Sequence, residues 1–178
     1  ATALASITQL SSGTFTTTLA TDGASDALAL TVAGAAAVAS VLDAEDVESL
    51  TVTSAGLAAN SVTMDDEQSA DLTSITAAGT KGLTLNIGGA ALATVDASGI
   101  TGTGSLFVLD AGDSEVDMTV TPSDARPADI TADAANTITT GEGDDTLTRG
   151  DYIDVLSGGA GDDTITVGDG DNQLNGGA

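Results

Sequence analysis

A nine-residue frame closes the chain, and no other feature restricts its fold as tightly. TADAANTIT, TGEGDDTLT, RGDYIDVLS, GGAGDDTIT and VGDGDNQLN follow one another from Thr131 to Asn175, and GGA occupies 176–178. Position six of the frame reads Asn136, Asp145, Asp154, Asp163 and Asn172, and position eight reads Ile138, Leu147, Leu156, Ile165 and Leu174. The first six residues of each frame carry turn chemistry and the last three strand chemistry. Glycine permits positive φ and close backbone approach. The aliphatic residue at position eight points away from its strand neighbours, into a narrow core. Two frames make one coil, so like turns pile up on each of two edges, with strands about 4.8 Å apart.

Piled turns of this kind collect hard oxygens. A GxG turn aims carbonyls inward, and the aspartate adds an anionic oxygen. Calcium takes six to eight such ligands at about 2.3–2.6 Å. GGAGDDTIT (158–166) matches the GGxGxDxUx nonapeptide of calcium-binding β-rolls at every fixed position. An acidic, glycine-rich linker is the bland alternative, but it does not explain an aliphatic position kept five times. Residues 131–178 therefore resemble the RTX (repeat-in-toxin) family.

The resemblance implies several calcium ions and names their ligands. One ion lies between Gly141, Gly143 and Asp145 of one turn and Gly158, Ala160 and Asp163 of the turn above. All but the aspartates would donate main-chain carbonyls. A second ion on that edge uses Gly159, Gly161 and Asp163 with Gly176 and Ala178. The other edge offers Gly150, Asp151, Tyr152 and Asp154 with Val167, Asp169 and Asn172. That edge departs from the family pattern: Tyr152 stands where glycine is expected, and Asn172 has lost the charge. TADAANTIT keeps only Asn136 and Ile138. Ions are expected to be weak or absent on that edge and at the first turn.

Charge points to cations as partners. The net charge is −24 over 178 residues, with only Lys81, Arg126 and Arg149 positive. Nucleic acid and bare anionic lipid are disfavoured. From Thr131 onward ten acidic residues face one arginine. Such a stretch repels itself until a cation neutralises it, so binding and ordering are expected to be coupled. No run of about 18 uncharged apolar residues is present to span a membrane. The chain lacks an initial methionine and stops inside a repeat, which reads as a piece of a longer protein.

Catalysis finds little support. Histidine and cysteine are both absent, which excludes Ser-His, Cys-His and His-metal chemistry within this chain. Asp65-Asp66-Glu67 reads as a solvated loop or an additional calcium site. Aromatic residues make up 2% of the chain, too few for a sugar-gripping pocket. No enzymatic activity is expected.

Ahead of the frame the chain repeats more loosely. DLTSITAAG (71–79) aligns with ALATVDASG (91–99) at a spacing of 20, and with ESLTVTSAG (48–56) at 23. LTLNIG (83–88) and SLFVLDAG (105–112) fall between such blocks. Each reads as a short strand ended by glycine. AVASVLDAEDVESL (37–50) also allows a helical turn or two. The expected organisation is an N-terminal cap, edge or assembly segment (1–27), a Thr/Ala-rich β-solenoid (28–121), a transition at Pro122 and Pro127 (122–130), and the roll (131–178). The fold class is all-β, a right-handed parallel β-solenoid ending in a calcium β-roll. An antiparallel β-sandwich remains open for residues 1–120.

Blocks such as TVDASGITGTGSL are similar to bacterial surface-layer proteins of the Caulobacter type, which are secreted RTX proteins that form calcium-dependent lattices. This resemblance implies an extracellular, self-associating structural module at the bacterial surface. An RTX adhesin segment, or the non-catalytic C-terminal roll of a secreted enzyme, are the alternatives. An ice-binding solenoid needs a regular threonine ladder, and Thr51, Thr53, Thr73, Thr76, Thr84 and Thr94 show no strict register in the sequence.

Overall fold

A computed structural model describes residues 5–16, 25–44, 46–65, 71–88, 91–102, 107–111, 118–122, 127–132 and 134–178. Residues 1–4 and 17–24 of the expected N-terminal segment, Asp66 and Glu67, and residues 123–126 lie outside them.

Alternation builds the architecture. In Ala27–Val32 the side chains of Leu28, Leu30 and Val32 are buried and the three between them are half-buried, as a strand with one covered face requires. The same reading gives seventeen strands among the described residues. Numbered in chain order, the odd ones are β1 (Ala5–Gln9), β3 (Ala27–Val32), β5 (Ser49–Ser54), β7 (Ser74–Gly79), β9 (Thr94–Ile100), β11 (Met118–Thr121), β13 (Asn136–Thr139), β15 (Val155–Ser157) and β17 (Gln173–Asn175). They form one sheet in that order. The even ones form the second sheet: β2 (Gly13–Thr16), β4 (Ala39–Asp43), β6 (Asn60–Met64), β8 (Leu83–Ile87), β10 (Phe107–Ala111), β12 (Ala128–Ala132), β14 (Thr146–Arg149) and β16 (Thr164–Thr166).

Each coil thus gives one strand to each sheet. Every pairing is parallel and joins a strand to the next but one in sequence. This is a parallel β-solenoid. The sandwich alternative is overturned, because sequence neighbours never pair as hairpins would. Residues 37–50 hold no helix among the described residues. β4 and β5 start within them, β4 pairs with β6, and Leu42 is buried in the core. Tertiary pairing overrides a weak helical preference.

Coil length varies along the body before it becomes constant. Ala27 pairs with Ser49, 22 residues on, and Ser49 with Ser74, 25 on. Thr94 follows Ser74 by 20, as the sequence blocks implied, and the step from Thr94 to Thr119 is again 25. The alignment of 48–56 with 71–79 at 23 is a slip of two residues, since Leu50 meets Ile75 and not Thr73. An even slip keeps each side chain on its own face, so the strand survived the error. From β11 onward the odd sheet steps by 18: Met118 to Asn136, Thr137 to Val155, Val155 to Gln173.

Some outward hydroxyls share a register, although the threonines as a set do not. Ser49, Ser74, Thr94, Thr119 and Thr137 form one column, and Thr51 pairs with Thr76 in the next. Coils of unequal length hide this order in the sequence. The columns are not uniform, because Thr76 meets Asp96 and Thr53 meets Ala78. On the other sheet Val108, Asp110 and Asp129 interrupt the hydroxyls.

One cluster of buried apolar side chains runs from Leu28 to Leu156. Its thickness changes. β8 and β10 each bury three apolar side chains, whereas β13, β14 and β15 bury one each, Ile138, Leu147 and Leu156. Farther on, Ile165 is partly buried and Leu174 is half exposed. A buried aliphatic side chain contributes about 1.5–3 kcal/mol. Ordering each residue costs about 1–2 kcal/mol in backbone entropy. One aliphatic group for every nine residues cannot offset that cost, so the last coils depend on something other than a core.

Candidate metal centre

What the core lacks, the turns supply. On one edge the chain turns at 140–145, between β13 and β14, and again at 158–163, between β15 and β16. Alternation folds the position-six side chain inward, where it bonds to the turn below. Asp163 Oδ1 accepts the Asp145 N–H at 3.0 Å, and Asp145 Oδ1 accepts the Ala128 N–H at 2.6 Å. On the opposite edge Asp154 Oδ1 accepts the Asn136 N–H and Asn172 Oδ1 accepts the Asp154 N–H, both at 2.9 Å. These four position-six side chains each cap the coil before them.

That cap uses one oxygen of each carboxylate. The second, Oδ2 of Asp145, Asp154 and Asp163, is buried and has no hydrogen-bond partner. An ionised oxygen without a partner is costly away from water. Burial raises the Asp145 carboxyl above its usual 3.8; the Ala128 N–H and the Thr140 hydroxyl oppose the shift, and the charges of Asp163 and Asp144 add to it. The turn is poised for a cation.

The backbone at this edge is close-stacked. Ala160 N donates to Gly141 O at 2.7 Å, and Ala178 N to Gly159 O at 3.0 Å. Gly159 has φ +84, and a Cβ there would meet the carbonyls of Gly141 and Thr140. A Cβ on Gly161 would meet the Gly143 carbonyl, and one on Gly158 the Asp163 carboxylate. The structure thus brings together the halves of the expected first set: Gly141 with Ala160, Asp145 with Asp163, and Gly158 beside Asp163. Gly143 lies under Gly161. Gly159 is stacked against Gly177 and Ala178 in the second set, while a Cβ on Gly176 would meet nothing. Three expected carbonyl ligands on this edge already accept hydrogen bonds: Gly141 O from Ala160 N, Gly159 O from Ala178 N, and Gly158 O from Thr140 Oγ1 at 2.7 Å. A carbonyl retains a second lone pair. Among the described residues no three acidic side chains converge as a metal cluster, so an ion here relies on two carboxylates and the backbone. That donor set is all hard oxygen and suits calcium.

The other edge is built differently. Gly168 N donates to Gly150 O at 3.1 Å, and Asp169 N to Asp151 Oδ1 at 3.0 Å. Gly170 lies against the Tyr152 carbonyl, and the Tyr152 side chain is 54% exposed. Val167 packs partly buried against the core. Asp154 is 0% exposed, and the position-six residues below and above it are the amides Asn136 and Asn172. Arg149, 5% exposed, ends β14 pointing inward. Burial lowers its guanidinium to about 10, opposed by the charge of Asp154.

Sequence reasoning missed two features. Arg149 counted only as one positive charge, although alternation from Leu147 already pointed it inward. The capping device also begins before the nonapeptides. Asn60 Oδ1 accepts the Val38 N–H at 3.0 Å, and Glu48 accepts the Asp26 N–H, each 22 residues back. The signal was an acidic or amide residue just before a strand. Of Asp65-Asp66-Glu67, only Asp65 is described, exposed after β6.

A family model described as the RTX calcium-binding nonapeptide repeat (4 copies) matches residues 130–148 and 148–178. No curated protein and no solved structure matches the chain. Frame, stacked turns and family match agree: residues 130–178 are RTX calcium-binding nonapeptide repeats that fold as a β-roll on the end of a β-solenoid.

Proposed function

We propose that this chain is a non-enzymatic structural segment of an extracellular bacterial surface protein, and that calcium stiffens it for self-assembly into a layer or matrix. The observation that carries the reading is the stacked pair Asp145 and Asp163, each with a buried, unpartnered oxygen, on a coil too thin to hold itself together. Asp145 and Asp163 would hold the ion, with carbonyls of Gly141, Gly143, Gly158 and Ala160 beside them. Calcium supplies a compact double positive charge that takes oxygen ligands in flexible number. Bound between two turns, it fixes their spacing. It also lowers a net charge of −24 that otherwise holds copies apart.

The absence of histidine and cysteine supports a structural role over a catalytic one. Secretion to the cell surface follows from what RTX repeats usually imply and from the millimolar calcium outside cells that modest sites need. The test is a calcium titration followed by circular dichroism and light scattering together. Gain of β structure followed by sheet-like assembly supports the proposal. Gain of β structure in a lasting monomer keeps the calcium roll but overturns self-assembly, in favour of an adhesin segment or an enzyme-associated roll.

A further inference from the structure

The two edges of the roll are not equivalent in charge. On the first, Asp145 and Asp163 stack directly, and no described cationic side chain accompanies them. On the second, Asp154 is the lone carboxylate at position six, with Asn136 below and Asn172 above. Its Oδ2 is buried and unpartnered. The same edge holds Arg149, buried to 5%, whose Nη1 donates to Ile130 O at 2.8 Å and also to Thr148 O. Nε and Nη2 of Arg149 have no partner. One side lacks a donor and the other an acceptor; Arg149 ends β14 and Asp154 directly precedes β15, so the two buried groups flank one turn.

We infer that Arg149 is the resident cation of the second edge: its guanidinium takes there, as counter-charge to Asp154, the place that calcium takes on the first edge. The inference rests on the calcium-roll reading and adds to it which junctions need an ion. The charges agree. At position six one carboxylate and one guanidinium sum to zero, whereas the two stacked carboxylates of the first edge call for a divalent ion; Asp151 and Asp169 of the second edge are exposed to solvent. A guanidinium stays charged at any physiological pH and offers five fixed donors, so this junction has a permanent counter-charge. Ala132, paired with Arg149 on the strand below, leaves room for the long side chain. The second edge then orders without calcium and gives the first edge a prebuilt half-coil on which to bind it.

The test uses the whole chain and two readouts: bound calcium counted by equilibrium dialysis and metal analysis, and amide exchange at Asn136 in chelator. Asp154→Asn is expected to leave the calcium count at its wild-type value, while Asp163→Asn lowers it. Arg149→Met, which keeps the apolar stem, is expected to reduce Asn136 protection at least about tenfold, because the buried carboxylate of Asp154, which accepts the Asn136 N–H, loses its counter-charge. The double variant Arg149→Met with Asp154→Asn is expected to recover most of that loss, since both charges are gone. Loss of a calcium ion in Asp154→Asn would overturn the inference and leave the calcium reading standing. Unchanged protection in Arg149→Met, or no recovery in the double variant, would overturn it as well. An Asp163→Asn variant that keeps every ion would instead sink the ligand assignment of the first edge.

Discussion

Two substitutions at Asp163 separate the two jobs of its carboxylate. Oδ1 accepts the Asp145 N–H at 3.0 Å, and Oδ2 is the unpartnered oxygen assigned to calcium. Asp163→Asn keeps an acceptor where Oδ1 stood. The chain already shows that an amide can do this, since Asn172 Oδ1 accepts the Asp154 N–H at 2.9 Å. Asp163→Ala removes the acceptor and leaves a buried donor unpaired, a loss of about 1–3 kcal/mol. In chelator, amide exchange at Asp145 should therefore be faster in the alanine variant than in the asparagine variant by about 5- to 150-fold, the same energy read as an equilibrium ratio. Asparagine should match or exceed wild type there, because it removes a charge with no partner. With calcium present the order of wild type and asparagine reverses. Loss of one of two carboxylates should weaken calcium binding at least about tenfold, or about 1.4 kcal/mol. Equal exchange in the two variants would refute the capping role. Wild-type calcium affinity in Asp163→Asn would refute the assignment of Oδ2.

Three further outcomes are expected. Burial holds the Asp145 carboxyl above 3.8, so the calcium-free fold takes up a proton more readily than the unfolded chain; its stability should rise as pH falls through the raised value and level off below 3.8, and circular dichroism in chelator showing steady loss of order over that descent would contradict this. Gly159→Ala should cost about 1–2 kcal/mol for its left-handed backbone alone, and more from contact with the Gly141 carbonyl, whereas Gly176→Ala, facing open space, should cost almost nothing in the same urea titration; equal effects would sink the close-stacking argument. Magnesium at the same concentration should not restore β structure, because it demands tight octahedral geometry and keeps its waters, so equal rescue would point to charge screening alone.

The roll was legible almost residue by residue. Positions seven to nine of the frame became β15, β16 and β17, and β14 runs only one residue further, to Arg149. A fixed period leaves the strands no choice of register. Upstream, strand positions were readable from alternation, but register was not, because coils of 20, 22 and 25 residues obscure which residues meet. That is why Leu50 was aligned with Thr73 rather than Ile75, and why the shared register of some hydroxyls was missed. The candidate site was legible as a set of stacked turns. It was not legible that Oδ1 would be committed to the coil below, leaving Oδ2 as the free ligand. Nor was the inward turn of Arg149, since a motif tells which residues are fixed and says little of a variable position.

The constant step of eighteen residues also determines how the body would behave under load. Each coil adds about 4.8 Å to the height of the stack, yet the same eighteen residues drawn out span about 60 Å. A pull on strand β17 would meet the Gln173 to Val155 pairing and release the chain one coil at a time, about 55 Å for each. Junctions pinned by a metal would yield at a force set by the calcium around them, and the junction at Arg149 at a force that calcium does not change. The roll would then serve as a spring of graded stiffness, extensible in equal steps and tuned by the ion concentration of the medium.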